Sequence, residues 1–244
     1  MRIPITPLGR REIAVCTVVL FAAASVALHL FSPAAVVPLV LWVWVLSFFR
    51  DPDRTVPDEA KVLLSPADGT VRDITHMDED PHIGGPATRI GIFMSVFNVH
   101  VNRFPVAGRV VSVTAKPGRF HDARDPRAIT DNVSNTIVLD PDDSSWIGPL
   151  AVRQITGFVA RRIVCHAGPG DHLDAGERFG MIKFGSRLEV IVPAANQLDV
   201  AVNVGQKTKA GLTILAKLNP GKSKTDAPTG PERGRPTAGE SNIK

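Results

Sequence analysis

Two apolar runs near the N-terminus constrain this chain more than any other feature. Residues 13–31 (IAVCTVVLFAAASVALHLF) are 19 positions without Asp, Glu, Lys or Arg. Residues 34–49 (AAVVPLVLWVWVLSFF) are 16 more, and Ser32-Pro33 separates the two runs. At about 1.5 Å per residue, helices of these lengths reach roughly 28 and 24 Å, close to the bilayer core of about 30 Å. Arg2, Arg10 and Arg11 precede the pair; Arg50 and Arg54 follow it. Positive charge on both outer flanks favours a membrane hairpin with both ends in the cytoplasm, and hence a body at the inner face of the cell membrane. Trp42 and Trp44 stand near the second end, where an aromatic belt is expected. A secretory leader fits less well, because no small-x-small cleavage site follows the first run. A single tilted span, a shallow re-entrant pair and a buried hairpin of a soluble protein stay open. So does the choice between spanning the bilayer and lying in it.

Of the 244 residues, 44% are hydrophobic and 21% charged, which excludes a wholly disordered chain. Two cysteines, Cys16 and Cys165, exclude a disulfide scaffold and a four-cysteine zinc module. With no tyrosine, no phenol can act as acid or nucleophile. The formal charge of +4 is concentrated at the ends: residues 1–12 are net +2, residues 217–244 net +3, and the rest net −1. A near-neutral body with basic ends argues against a nucleic-acid partner and for an anionic membrane surface.

Beyond Arg50 short β-rich runs alternate with Gly and Pro, at 61–64, 69–74, 89–94, 108–115, 135–139, 150–156, 163–165, 187–192 and 211–218. Strands are expected there, with a short helix over residues 95–98. Long amphipathic helices are lacking between the runs, so the fold class is mainly β rather than a Rossmann or TIM architecture. Gly170-Asp171 and Gly176-Glu177, six apart between two apolar runs, resemble the hairpin of a barrel-sandwich hybrid, as in lipoyl and phosphotransfer carriers. The expected organisation is a membrane-associated helical segment over 1–49, a β-rich catalytic domain over 50–218 and a disordered tail over 219–244.

Singly, the polar residues are weak signals. Asp68 in SPADG (65–69) also reads as a turn. His100 in an apolar stretch also reads as a hydrogen-bonded core residue. Gly185-Ser186 also reads as a turn between strands. His166, Asp171, His172 and Asp174 match no strong zinc spacing and read as a solvated loop, so no metal is expected.

Together the pieces are more specific. The apolar hairpin is followed in order by FFRDPDR (48–54), SPADG (65–69), FMSVFNVHVNRFPVAGRV (93–110) and RFGMIKFGSRLEVIVP (178–193). Over roughly residues 45–215 this order resembles the short-form phosphatidylserine decarboxylase proenzymes. The resemblance implies self-cleavage at Gly185-Ser186, giving a chain of 185 residues and one of 59 that stay together as a heterodimer. It assigns Asp68, His100 and Ser186 as the set that drives the cut.

The implied chemistry suits these residue types. A serine hydroxyl needs a base; His100 fills that role if Asp68 orients its ring. Attack of Ser186 Oγ on the Gly185 carbonyl gives an ester, and β-elimination and hydrolysis then leave a pyruvoyl group in place of Ser186. That ketone forms a Schiff base with the amine of phosphatidylserine and accepts electrons as CO2 leaves, so no pyridoxal phosphate is required. The product is phosphatidylethanolamine. His100 is the candidate for protonating the resulting carbanion. For the lipid phosphate the candidates are Arg103, Lys183 and Arg187, with Arg161 and Arg162 also near the motifs.

Some features depart from the family pattern. Asn98 stands where some members have an acidic residue, and Val96 where many have Pro. Asn132-Val133-Ser134-Asn135 replaces a common Asn-Glu-Arg-Asn run and receives no role. A competing reading is a membrane-anchored phosphotransfer or lipoyl-like carrier that never cuts itself. Residues 171–177 hold no lysine to modify, which disfavours the lipoyl version.

Overall fold

The computed structural model describes residues 5–30, 32–159, 162–183 and 185–219. Arg161 and the tail beyond Asn219 lie outside the described residues.

Helix α1 (Arg10–Leu30) follows a single 3-10 turn, Pro7–Gly9, whose entry is capped by Thr6 Oγ1 accepting the Leu8 N–H at 3.4 Å. Among the described residues, Pro7–Leu30 is the one helix long and apolar enough to cross a membrane. None of the α1 side chains is buried. A second 3-10 turn, Ser32–Ala35, reverses the chain into α2 (Val36–Phe48). With 13 residues α2 is about 20 Å long, shorter than its apolar run. The helices meet through Trp42, whose Nε1 donates to Thr17 Oγ1 at 3.0 Å and whose ring meets Phe21 edge-on at 5.3 Å. Trp42 therefore serves the hairpin seam rather than an interfacial belt.

The body is mainly β, as the turn-punctuated sequence predicts. Its strands are β1 (Val62–Leu64), β2 (Gly69–Asp80), β3 (Gly85–Met94), β4 (Val101–Arg103), β5 (Gly108–Lys116), β6 (Ser134–Pro141), β7 (Leu150–Ile155), β8 (Arg162–Cys165), β9 (His172–Leu173), β10 (Arg178–Lys183), β11 (Ser186–Pro193), β12 (Leu198–Val200), β13 (Lys207–Thr208) and β14 (Ile214–Leu218). An eight-stranded antiparallel sheet runs β13-β2-β3-β11-β7-β6-β5-β9 and curls into a half-barrel. Two three-stranded sheets, β1-β14-β12 and β4-β10-β8, complete the body.

Period-two alternation explains the core. Along β11, Leu188, Val190 and Val192 join a cluster with Leu63 of β1, Phe179 of β10 and Leu215 of β14, so one core unites all three sheets. Phe104 and Phe179 meet edge-to-face at 5.6 Å within it. Arg187 and Glu189 lie on the opposite face of β11 and pair with each other.

The expected helix over residues 95–98 is a turn instead. Asn98 Oδ1 accepts both the Ser95 N–H and the Ser95 hydroxyl at 2.8 Å, and this side-chain closure competes with helix formation. A short helix, α3 (Arg127–Asp131), occurs where none was expected.

Candidate active site

The site forms where the chain changes sheets. Lys183 ends β10 in one three-stranded sheet, and Ser186 begins β11 in the eight-stranded sheet, opposite Met94. Gly185 turns this corner with φ +68°, a left-handed conformation that a Cβ would strain. Its N–H donates to His100 Nε2 at 3.4 Å. A Cβ on Gly157 would lie 2.3 Å from the Gly185 carbonyl oxygen, so the missing side chain at 157 leaves the notch that this carbonyl occupies. Ser186 is fully buried, and its Oγ has no hydrogen-bond partner among the described residues. A buried hydroxyl left unpaired is costly and uncommon, and it is chemically available.

His100 is also fully buried. Its Nδ1 lies 2.9 Å from the Asn98 carbonyl oxygen, an acceptor only, so Nδ1 carries the proton and Nε2 presents a lone pair. Burial is the main cause that lowers its pKa to about 4, and the positive charge of Arg50 adds to it; the Asn98 carbonyl and the Asp68 carboxylate oppose. The ring is covered by Phe48, with centroids 4.2 Å apart and planes at 33°.

Asp68 is held by Arg54 and by the chain near Ala210. Its carboxylate receives both guanidinium nitrogens of Arg54, at 2.5 and 2.9 Å, and the Ala210 N–H at 2.8 Å. The hydrogen bond that orients His100 comes from the Asn98 backbone, not from Asp68. Asp68 acts on the imidazole through its charge alone.

FFRDPDR becomes a strap from the hairpin across the site. Phe48 covers His100, and Arg50 donates to the Phe97 carbonyl at 2.8 Å. Asp51 accepts from Arg103 at 3.3 Å and from Arg178 at 2.7 Å. Asp53 also holds Arg178, at 2.8 Å, and Arg54 grips Asp68.

The three expected phosphate ligands are therefore committed elsewhere. Arg103 is buried among Asp51, the Pro52 carbonyl at 3.0 Å and the Gly176 carbonyl at 2.9 Å. Lys183 is buried with its ammonium on Glu12 of α1 at 2.5 Å. Arg187 is buried between Asp73 and Glu189, 2.7 Å from each. Burial of a cation requires such partners, and each of the three has an acidic one. Arg162 remains exposed, 3.9 Å from Glu12.

Sequence reasoning missed several contributors: Asn98 through its carbonyl, Phe48, Arg54 and Gly157. It also gave no role to Asn132, which is buried and ties three backbone groups. Its Oδ1 accepts the His121 N–H at 2.7 Å, and its Nδ2 donates to the carbonyls of His121 at 2.8 Å and Thr156 at 2.9 Å, just before Gly157. Asn135 Nδ2 donates to Gln154 Oε1 at 3.1 Å. In the separate polar loop His172 pairs with Asp142, just past β6, at 2.7 Å, and Asp171 accepts the Gly168 N–H at 2.8 Å. Among the described residues, no three His, Cys, Asp or Glu side chains are grouped to hold a metal.

Beside Gly185 opens a cleft of about 100 Å3, lined by Phe93, Val96, Ala123, Arg124, Phe158 and Val159. A buried serine and a neutral histidine at a left-handed glycine corner, with Phe48 packed on the imidazole, form a site suited to nucleophilic and acid–base chemistry. Residues 41–216 match the family model of phosphatidylserine decarboxylase. A phosphatidylserine decarboxylase proenzyme of Ruegeria pomeroyi is 43% identical over 219 residues, covering 88% of this chain and 95% of that one. Proteins of the same name from Solidesulfovibrio magneticus (44% over 214 residues; 88% and 97%) and Beijerinckia indica (45% over 200 residues; 80% and 84%) are comparably similar. The chain belongs to the phosphatidylserine decarboxylase family and is a carboxy-lyase of phospholipid metabolism.

Proposed function

We propose that this chain is a self-cleaving proenzyme that matures at Gly185-Ser186 and then decarboxylates phosphatidylserine to phosphatidylethanolamine at a membrane. The observation that carries the reading is the pair of features at the cut: a buried Ser186 Oγ without a partner, next to a Gly185 carbonyl seated in the Gly157 notch.

His100 Nε2 holds the lone pair needed to take the Ser186 proton. Oγ attacks the Gly185 carbonyl, the 185–186 C–N bond breaks and the proton passes to the departing amine. The ester then loses the Gly185 carboxylate by β-elimination, His100 taking the Ser186 Cα proton, to leave a dehydroalanine. Water converts its imine tautomer to a ketone and releases ammonia. The fit of a pyruvoyl group is supported by the same orphaned hydroxyl: the three-carbon skeleton stays where Ser186 is buried. Once formed, that ketone supplies the electron sink that decarboxylation needs. Around it, Phe48 excludes water, Asn98 fixes the tautomer of His100, and Nε2 is placed to hold the proton returned to the product carbon.

Membrane association rests on the apolar α1, which suits a substrate whose acyl chains cost about 0.8 kcal/mol per methylene to expose. A carrier that never cuts itself has no support among the relatives. Replacing Ser186 by Ala tests the reading: in a cell-free translation time course, wild type should split into 185- and 59-residue chains while the variant stays at 244. Cleavage of the Ser186→Ala chain at this bond would overturn the mechanism.

A further inference from the structure

Two loops at the site mouth expose large apolar side chains that none of the described residues covers. The turn after β3 carries Phe97, 71% exposed; the loop after β7 carries Phe158 and Val159, 68% and 61% exposed. Val96 joins Phe158 and Val159 in the cleft that reaches Gly185, so the two loops face each other across the opening. A soluble surface seldom concentrates such side chains, and a group of them marks a binding surface.

The fold also fixes where these loops sit. Arg50, just past the end of α2, donates to the Ser47 and Phe97 carbonyls, at 2.5 and 2.8 Å, so the turn is tied to the base of the hairpin. From that base α1 and α2 run outward with their apolar side chains exposed, including Val18, Val19 and Leu30 on one helix and Val36, Val37 and Val43 on the other. A bilayer that takes the hairpin ends at its base, level with Phe97. Among the described residues, the charged side chains lining the cleft are Arg124 and Asp122, and they pair with each other at 2.7 Å.

We infer that the 95–98 turn and the 157–159 loop form an apolar rim that enters the lipid interface, so that the Gly185–Ser186 cleft opens directly into the headgroup layer. The partner is the lipid surface itself, through continuity with the hairpin. The inference rests on the proposed lipid substrate and names how that substrate arrives: by lateral diffusion into the cleft, with its acyl chains never leaving the bilayer. Phe97, Phe158 and Val159 act as an interfacial anchor, as aromatic residues do at the membrane boundary.

The test reads depth, not activity. Full-length protein with Trp42, Trp44 and Trp146 changed to Phe receives one reporter, Phe97→Trp or Phe158→Trp. A third version carries Val204→Trp, on a separate exposed loop. Each is reconstituted into vesicles of phosphatidylethanolamine, phosphatidylglycerol and phosphatidylserine with bromine at a shallow acyl position. The rim reporters should lose at least about half their emission, as contact quenching near the headgroup boundary requires, while the Val204→Trp reporter stays bright. Rim reporters quenched no more than Val204→Trp would overturn the inference, whether water or a protein partner covers them. In parallel, Phe97→Ser in the native-tryptophan chain should self-cleave normally but lose about tenfold in turnover on vesicles, equal to about 1.4 kcal/mol. It should keep its turnover on a dispersed short-chain substrate; equal activity on both would also overturn the inference. Self-cleavage in the same samples reports separately on the proenzyme reading.

Discussion

His100 ties stability to pH. Its folded pKa of about 4 lies below the ordinary 6.5, because burial disfavours the charged ring. The unfolded chain therefore takes the proton more readily. The contribution is fully present above pH ~6.5 and is lost as pH falls toward 4, by roughly 3 kcal/mol across the window. In an uncleaved Ser186→Ala background, the melting temperature should fall steeply from pH 6.5 to 4. A His100→Gln partner variant should show a flatter slope, and parallel slopes would count against a neutral buried imidazole. Gly157 makes a second prediction at this scale. An added methyl has no strained backbone to contend with, but it meets the Gly185 carbonyl oxygen at 2.3 Å and the Ala123 Cβ at 3.2 Å. Gly157→Ala should fold yet cleave on the order of 100-fold more slowly, since a carbonyl displaced by about 1 Å loses that much. Wild-type kinetics in the translation time course would refute the notch. The residue types at the cut were legible in the sequence. The notch was not, because nothing in the spacing links Gly157 to a carbonyl 28 residues later.

At the scale of elements, the strap from Phe48 to Arg54 holds the site to the hairpin. Arg54 is nearly buried against Asp68, and breaking such a pair from one side leaves an uncompensated charge costing about 3–5 kcal/mol. Arg54→Met should therefore lower stability by about that much and slow cleavage. Adding Asp68→Asn should restore stability by removing the orphan charge, without restoring the cleavage rate. Urea unfolding of the uncleaved background, paired with the time course, separates the two effects. Phe48→Leu should keep the apolar cover but lose the ring stack, worth about 0.5–1.5 kcal/mol, and so slow cleavage a few-fold; an unchanged rate would argue that the stack does not position His100. The same elements show how far sequence reading reaches. Long strands such as β3 and β11 are announced by alternation and length. The strands β4, β9, β12 and β13 have two or three residues each, too few for a period to register. The partners that hold Asp68 were hidden from sequence for a related reason. Triad logic supplies a histidine, but an arginine fork 14 residues upstream and the Ala210 N–H 142 residues downstream claim both carboxylate oxygens.

For the whole molecule, the apolar hairpin acquires a place beside the site. Glu12 of α1 pairs with Lys183 three residues before the cut, Phe48 of α2 lies on His100, and Arg50 holds the 95–98 turn. The hairpin is thus part of the site's wall. The central claim, that Ser186 becomes the N-terminal pyruvoyl group of a new chain, can be read directly from mass. Intact-mass measurement of the purified wild-type protein should give two chains, residues 1–185 and residues 186–244, the shorter lighter by one ammonia than a serine-ended peptide of the same sequence. A single 244-residue chain, or a short chain of unmodified serine-ended mass, would contradict the account.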